Sequence, residues 1–223
     1  MNLFRLSLAI VEDAGGGRDE SALNLILMLM IYCRRQGKHS EVDALLRHLL
    51  ETIETAGGDL RRFATAVNDK GHDMLSPCKY GAEDVLLNAL SIRERVLEPN
   101  DRDIAQTLNN LGIAYKMQGR LEEAEGMFTR AIAIYEAALG AENEYSALAH
   151  FNLGLVMRDS ARGEDALGQF RHAVSAIEGA LGMEHELLAP ILECSAELVR
   201  VAGHTEEAEA HEARARRIRL KAN

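Results

Sequence analysis

The strongest constraint on the fold is an internal repeat, in which residues 106–144 match residues 148–186 after a shift of 42 positions. The matched pairs are Leu111 and Leu153, Gly112 and Gly154, Ala124 and Ala166, Phe128 and Phe170, Ala131 and Ala173, and Gly140 and Gly182. A second shift reaches Ala196, Gly203, Ala208 and Ala215. A fixed period of this size predicts stacked supersecondary units.

Each repeat has the pattern of two helices. Four residues of the first helix share a face because they lie at i, i+3, i+4 and i+7, namely Leu108, Leu111, Gly112 and Tyr115. In the second helix the shared face holds Ala124, Phe128 and Ala131. The small Gly112 and Ala124 allow the two helices to approach closely, while Gly119 and Gly140 are placed to end them.

Composition agrees with packed helices. Aromatic residues make up 4% of the chain and tryptophan is absent, although 47% of the chain is hydrophobic. Barrels and sandwiches depend on aromatic and β-branched residues, so they are disfavoured. The formal net charge of −10 gives no basic footprint, and we expect no nucleic-acid partner. The apolar run Ala22–Tyr32 has only eleven residues, too few to span a bilayer.

The spacing Leu-x2-Leu-Gly-x2-Tyr-x8-Ala-x3-Phe-x2-Ala resembles the tetratricopeptide repeat. With its LNNLG and QGRLEEAE segments and its 42-residue period, it is most similar to the kinesin light chain type. The resemblance covers residues 103–217, and the family's usual repeat is about 34 residues. It implies an all-α, right-handed α-α superhelix, a tetratricopeptide solenoid.

The repeat pattern predicts a single array over residues 1–223. Its parts are a half repeat at 2–14 and five repeats at 22–57, 58–101, 103–143, 145–185 and 188–221, the last acting as a C-terminal cap. The second repeat is expected to carry an inserted loop at 72–81, where Pro77 and Gly81 favour a loop.

Catalytic and metal-binding motifs are not found, so we expect a non-enzymatic protein without catalytic residues, cofactor or metal. No phosphate-binding glycine motif and no paired-histidine metal motif occurs. His72 and Cys78 share the inserted loop, but a solvated loop is the simpler interpretation. The carboxylate pairs such as Glu122-Glu123 recur at helix starts, where they match the helix dipole.

The resemblance implies that the first helix of each repeat lines an inner groove. The expected peptide-binding residues there are Arg34, Gln106, Asn109, Ile113, Lys116, Leu148, Phe151, Asn152, Leu155, Arg158 and Arg200. Basic residues recur at one position and Leu148, Phe151 and Leu155 form an apolar patch, which together suit a peptide with an apolar anchor and acidic groups. Asn109, Asn110 and Asn152 resemble the asparagines with which related repeats hold a peptide backbone. The alternative is an ordinary surface, with Phe151 packed under a neighbouring helix.

We therefore predict a protein–protein interaction scaffold. The clamp for the carboxylate of heat-shock chaperones is not expected, because Ile31, Thr65 and Ile113 replace the asparagine that it needs. Two alternatives stay open: a self-assembling subunit joined through the half repeat, and a peptide-signal sensor. Three scattered cysteines, Cys33, Cys78 and Cys194, favour a reducing, cytoplasmic location.

Overall fold

The structure, a computed structural model, describes the backbone of residues 20–55, 57–75 and 81–222, and side chains from 27 to 221 within those ranges. Over these ranges the chain forms ten α-helices and no strand, so the all-α prediction is confirmed. The chain divides into two compact units, Met1–Pro99 and Asn100–Asn223. The expected half repeat at 2–14 lies outside the described residues.

The first unit contains four helices, which pair in chain order. They are α1 (Glu20–Arg35), α2 (His39–Thr55), α3 (Leu60–Asp73) and α4 (Ala82–Val96). Helix α4 packs on α1 as well as on its hairpin partner α3. A shared core joins all four helices and includes Met30, Leu46, Leu49, Ala64 and Ile92, all fully buried.

Helix α3 is longer than the sequence pattern indicates. It includes His72 and Asp73, both assigned to the inserted loop, and α4 begins at Ala82. The connection therefore starts at Met74, and residues 76–80 within it, including Cys78, lie outside the described residues. Gly81 precedes α4 with a φ of 99°, a backbone conformation that glycine adopts without steric cost.

The second unit contains six helices, which form three successive hairpins. They are α5 (Arg102–Met117), α6 (Leu121–Leu139), α7 (Glu144–Asp159), α8 (Gly163–Leu181), α9 (Leu188–Val201) and α10 (Thr205–Ala222). Neighbouring hairpins pack through α6 on α7 and through α8 on α9. First and second helices thus alternate along the stack, and each hairpin packs on the next.

Glycine–phenylalanine contacts set the helix spacing within two hairpins. A Cβ on Gly112 would lie 2.7 Å from the Phe128 ring, and a Cβ on Gly154 would lie 2.4 Å from the Phe170 ring. Both rings are fully buried. The prediction that small residues at these positions permit close approach is confirmed.

The dense basic run of the C-terminal helix is paired with acidic residues of α8, of α9 and of the connection between them. Arg214 contacts Glu178 at 2.5 Å and Arg219 contacts Glu193 at 2.7 Å, while Lys221 and Arg217 both contact Glu184. These basic residues are therefore paired within the second unit, although Arg217, Arg219 and Lys221 stay exposed to solvent.

Candidate functional site

The candidate site is a stripe on the first helices of the second unit, here called the inner stripe. Its members are Gln106, Asn109, Ile113 and Lys116 on α5, Leu148, Phe151, Asn152, Leu155 and Arg158 on α7, and Pro190, Glu193, Glu197 and Arg200 on α9. Gln106, Glu197 and Arg200 are exposed and the others are half-buried. The adjacent face of α5, with Leu108 and Leu111, is fully buried against the core.

Two asparagines connect α5 to α7 on the inner stripe. The Asn152 amide Nδ2 donates a hydrogen bond to Asn109 Oδ1 at 3.2 Å. Among the described residues, the side chains of these two asparagines form no other hydrogen bond. Asn109 Nδ2 therefore stays available as a donor, and Asn152 Oδ1 stays available as an acceptor. One donor beside one acceptor matches the two polar groups of a peptide unit. Asn110, by contrast, is only 5% exposed, so its side chain does not belong to this surface.

The apolar patch on α7 is partly covered by the protein itself. The Phe151 ring lies 5.7 Å from the Phe170 ring, centroid to centroid. Phe151 and Leu155 also pack against a core cluster that includes Leu188 and Leu192 of α9. Both side chains remain half-buried, so an incoming apolar group meets the outer edges of these side chains rather than an open pocket.

The basic residues of the inner stripe have acidic partners that the sequence pattern missed. Asp159 lies 3.3 Å from Lys116 Nζ and 3.2 Å from Arg158 Nη2, so one carboxylate joins α5 to α7. Arg158 also reaches Glu197 on α9 at 3.8 Å. An acidic ligand must therefore compete with Asp159 and Glu197. The sequence did contain one indication of this pairing, because the acidic Asp159 directly follows Arg158.

The two remaining basic residues are placed differently. Arg200 contacts Glu212 of α10 at 2.7 Å, toward the second helix of its own hairpin. Arg34 belongs to the first unit, where its Nη2 donates to Asn88 Oδ1 on α4 at 2.8 Å. Arg34 is thus held against a second helix by a buried amide.

The described cysteines have the character of structural residues. Burial raises the pKa of the Cys33 thiol, and the nearby Glu41 adds to that effect. Burial also raises the pKa of the Cys194 thiol, although Arg158 opposes the shift. A raised pKa leaves less thiolate and so lower reactivity. Among the described residues, no group of three or more His, Cys, Asp and Glu side chains could hold a metal ion.

Comparison with protein families gives one match, in which residues 81–137 fit the tetratricopeptide repeat family. That segment runs from the start of α4 into α6. Comparison with curated proteins finds no match. No helix in the described part of the chain is both long and apolar enough to cross a membrane.

Several solved structures are similar to the chain. BtubC (BKLC) from P. vanneervenii is 19% identical with a TM-score of 0.68, and the match covers 99% of this chain and 89% of that one. A putative kinesin light chain from P. anserina with nearly identical TPR-like repeats is 16% identical with a TM-score of 0.53, covering 99% and 96%. Aspartyl phosphate phosphatase F from Bacillus subtilis is 15% identical with a TM-score of 0.68, covering 89% of this chain and 50% of that one.

Identities this low establish the fold and not the activity. The helical hairpins, the glycine–phenylalanine contacts and the family match at 81–137 agree with one another. The chain therefore has the fold of the tetratricopeptide repeat proteins.

Proposed function

We propose that the chain is a non-enzymatic interaction module that binds an extended segment of another protein along the inner stripe of α5 and α7. The observation that carries the proposal is the Asn109–Asn152 pair, which fixes one donor and one acceptor on a half-buried surface. Extended backbone has one N–H and one C=O per residue to offer such a pair. The partially exposed Ile113 and Leu148 flank the pair and can cover an apolar side chain of the ligand.

The charges of the stripe favour an acidic group on the bound segment. Lys116 and Arg158 are half-buried, and each is bound to Asp159 at an ordinary ion-pair distance. A ligand carboxylate takes over those contacts only by displacing Asp159. The proposal therefore predicts moderate affinity, improved by a ligand whose backbone and apolar side chain also bind.

The test is a peptide selected on the full chain from a displayed random library. The double variant Asn109→Ala and Asn152→Ala is expected to weaken that peptide about tenfold or more, because two hydrogen bonds to a buried backbone are lost. The matched control is Thr129→Ala on the exposed side of α6, which is expected to leave the affinity unchanged. Equal affinities for the double variant and the control are incompatible with the proposed site.

We also propose that the repeats are of the 42-residue kinesin light chain type and that the protein works in a reducing, cytoplasmic compartment. The first rests on the 42-position shift over residues 106–186. The second rests on Cys33 and Cys194, which are free thiols with a raised pKa.

Self-assembly is a second candidate function, favoured by two exposed side chains on α1. Met28 is 67% exposed and Tyr32 is 52% exposed on the same helix. Light scattering of the full chain over a hundredfold concentration range tests it. Assembly that disappears in the variant Met28→Ser and Tyr32→Ser supports this function, whereas a concentration-independent monomer excludes it.

A further inference from the structure

A cavity of about 260 Å³ lies between α8, α9 and α10, and none of the inner stripe residues lines it. Its floor includes Ser195 and Val199 of α9 together with Leu167 of α8. Ser195 follows Glu193 of the inner stripe by two residues, about 200° around the helix, so the cavity and the stripe occupy opposite faces of α9. This cavity is called the outer pocket below.

The preceding hairpin explains why the outer pocket is open. After the 42-position shift, the residues equivalent to Ser195 and Val199 are Leu153 and Met157. Both of these larger side chains are buried. Smaller side chains in the last hairpin leave that volume empty.

The preceding hairpin also has an ion pair where the outer pocket has none. Arg162, at the start of α8, contacts Glu125 of α6 and Asp165 of α8, each at 2.8 Å. The equivalent positions in the last hairpin hold His204, Leu167 and Glu207. The last hairpin therefore retains a carboxylate at the position of Asp165, namely Glu207. At the position of Arg162 it has a histidine, His204.

Two carboxylates lie at one end of the outer pocket, Glu164 and Glu207. Among the described residues, neither Glu164 nor Glu207 takes part in a hydrogen bond or ion pair of its side chain. Both lie in the first turn of their helices. Other charged side chains of α9 and α10 are paired, as in Arg200–Glu212 and Arg219–Glu193.

We propose that the outer pocket binds an arginine side chain of a partner protein, in the place that Arg162 occupies one hairpin earlier. The guanidinium pairs with Glu207, the equivalent of Asp165, and with Glu164, which lines the same pocket, since its planar fork suits carboxylates. Its aliphatic stem lies on Leu167 and Val199, which are apolar. The volume is below the roughly 300–1,000 Å³ of small-molecule sites, and it suits a single long side chain.

The other end of the outer pocket is suited to the ligand's neighbouring groups. Arg171 lies seven residues after Glu164, about 10 Å further along α8, so it stands away from the guanidinium. His211 Nδ1 is buried there and has no hydrogen-bond partner among the described residues. These two polar groups can bind the main chain of the partner segment beside its arginine. The outer pocket thus gives the chain a second contact site, independent of the inner stripe.

The test is an NMR titration of the full ¹⁵N-labelled chain with acetyl-arginine amide. Saturable shifts are expected for the amides of Leu167, Ala202 and Ala208, which line or adjoin the outer pocket. Acetyl-citrulline amide has nearly the same shape without the charge, and it is expected to bind about tenfold more weakly because charge-assisted hydrogen bonds are lost. Absence of saturable shifts there, equal binding of citrulline, or preference for acetyl-glutamate amide overturns the proposal.

Variants separate the pocket from a general charge effect. Glu164→Gln with Glu207→Gln is expected to reduce arginine binding about tenfold. Glu122→Gln is the matched control, because Glu122 occupies the position of Glu164 one hairpin earlier, where Arg162 is already paired with Glu125 and Asp165. Leu167→Glu with His204→Arg rebuilds the internal ion pair and is expected to abolish binding. Unchanged binding in both double variants overturns the proposal, and peptide binding at the inner stripe should be unaffected in all of them.

Discussion

At the scale of single residues, the close contact of two helices depends on glycine. Gly154 faces the Phe170 ring with no room for a Cβ, whereas a Cβ on Gly168 of α8 would have no atom of a neighbouring group within 4 Å. The repeat pattern alone predicted the first of these, because Gly112 and Gly154 recur with Phe128 and Phe170. Gly154 and Gly168 therefore give opposite expectations for the same substitution.

Gly154→Ala is expected to lower the free energy of unfolding by about 1–3 kcal/mol, because the new methyl overpacks a buried ring. Gly168→Ala is expected to raise it by up to about 1 kcal/mol, because alanine favours an exposed helix interior. Urea unfolding followed by circular dichroism measures both. A stabilised Gly154→Ala protein would show that the helices can separate at no cost.

Ion pairs are the residue-scale feature that the sequence could not predict. Periodicity gave the positions of Lys116 and Arg158, but not the direction of their side chains toward Asp159. That direction depends on the offset between neighbouring hairpins, which no spacing within one helix specifies. The basic residues at the stripe consequently bind an internal carboxylate first.

Asp159→Asn is expected to strengthen binding of an acidic peptide selected on the full chain by about two- to fivefold. The reason is that Lys116 and Arg158 lose a half-exposed partner worth about 0.2–1 kcal/mol. Calorimetric titration measures the change, with Asp165→Asn, whose partner Arg162 lies off the inner stripe, as the control. A weaker affinity in Asp159→Asn would mean that the carboxylate positions the basic groups for the ligand.

At the scale of elements, the starts of the first helices follow the repeat. Asp101 accepts from Asp103 N at the start of α5, and 42 positions later Asn143 accepts from Ser146 N at the start of α7. Such caps can be predicted from sequence because the side chain and its donor are local. The end of α3 could not be predicted in this way, because no helix-breaking residue directly precedes Met74, where the helix ends.

Asn143→Ala is expected to lower the free energy of unfolding by about 1 kcal/mol. The side chain is 8% exposed, and it also donates from Nδ2 to the Gly140 carbonyl oxygen at 2.5 Å. Asn143→Asp keeps the acceptor and should lose less. Thermal unfolding of the three proteins compares them, and equal stability of Asn143→Ala and the parent chain would refute the cap.

At the scale of the whole molecule, the helix order agrees with the sequence, but the packing in the first unit does not follow the simple repeat. Helix α1 packs on α4, so Arg34 contacts that helix, and Leu27 is buried in the shared core instead of continuing a surface. Long-range packing of this kind cannot be read from the spacing of residues within one helix. The second unit, where the period is constant, is the part that the sequence described best.

Residues 100–223 are expected to fold on their own, because the second unit contains its own core and its own charged end helix. A cooperative thermal transition of this fragment, with the helical circular dichroism signal retained, is the expected result. A fragment that melts without a transition would show that its stability depends on residues 1–99.

The most direct test of the central claim is an amide-shift map of the full chain bound to its selected peptide. The largest shifts are expected at Asn109, Ile113, Asn152 and Leu155, on the inner stripe of α5 and α7. Shifts confined to α6 and α8, with the inner stripe unchanged, would contradict that claim.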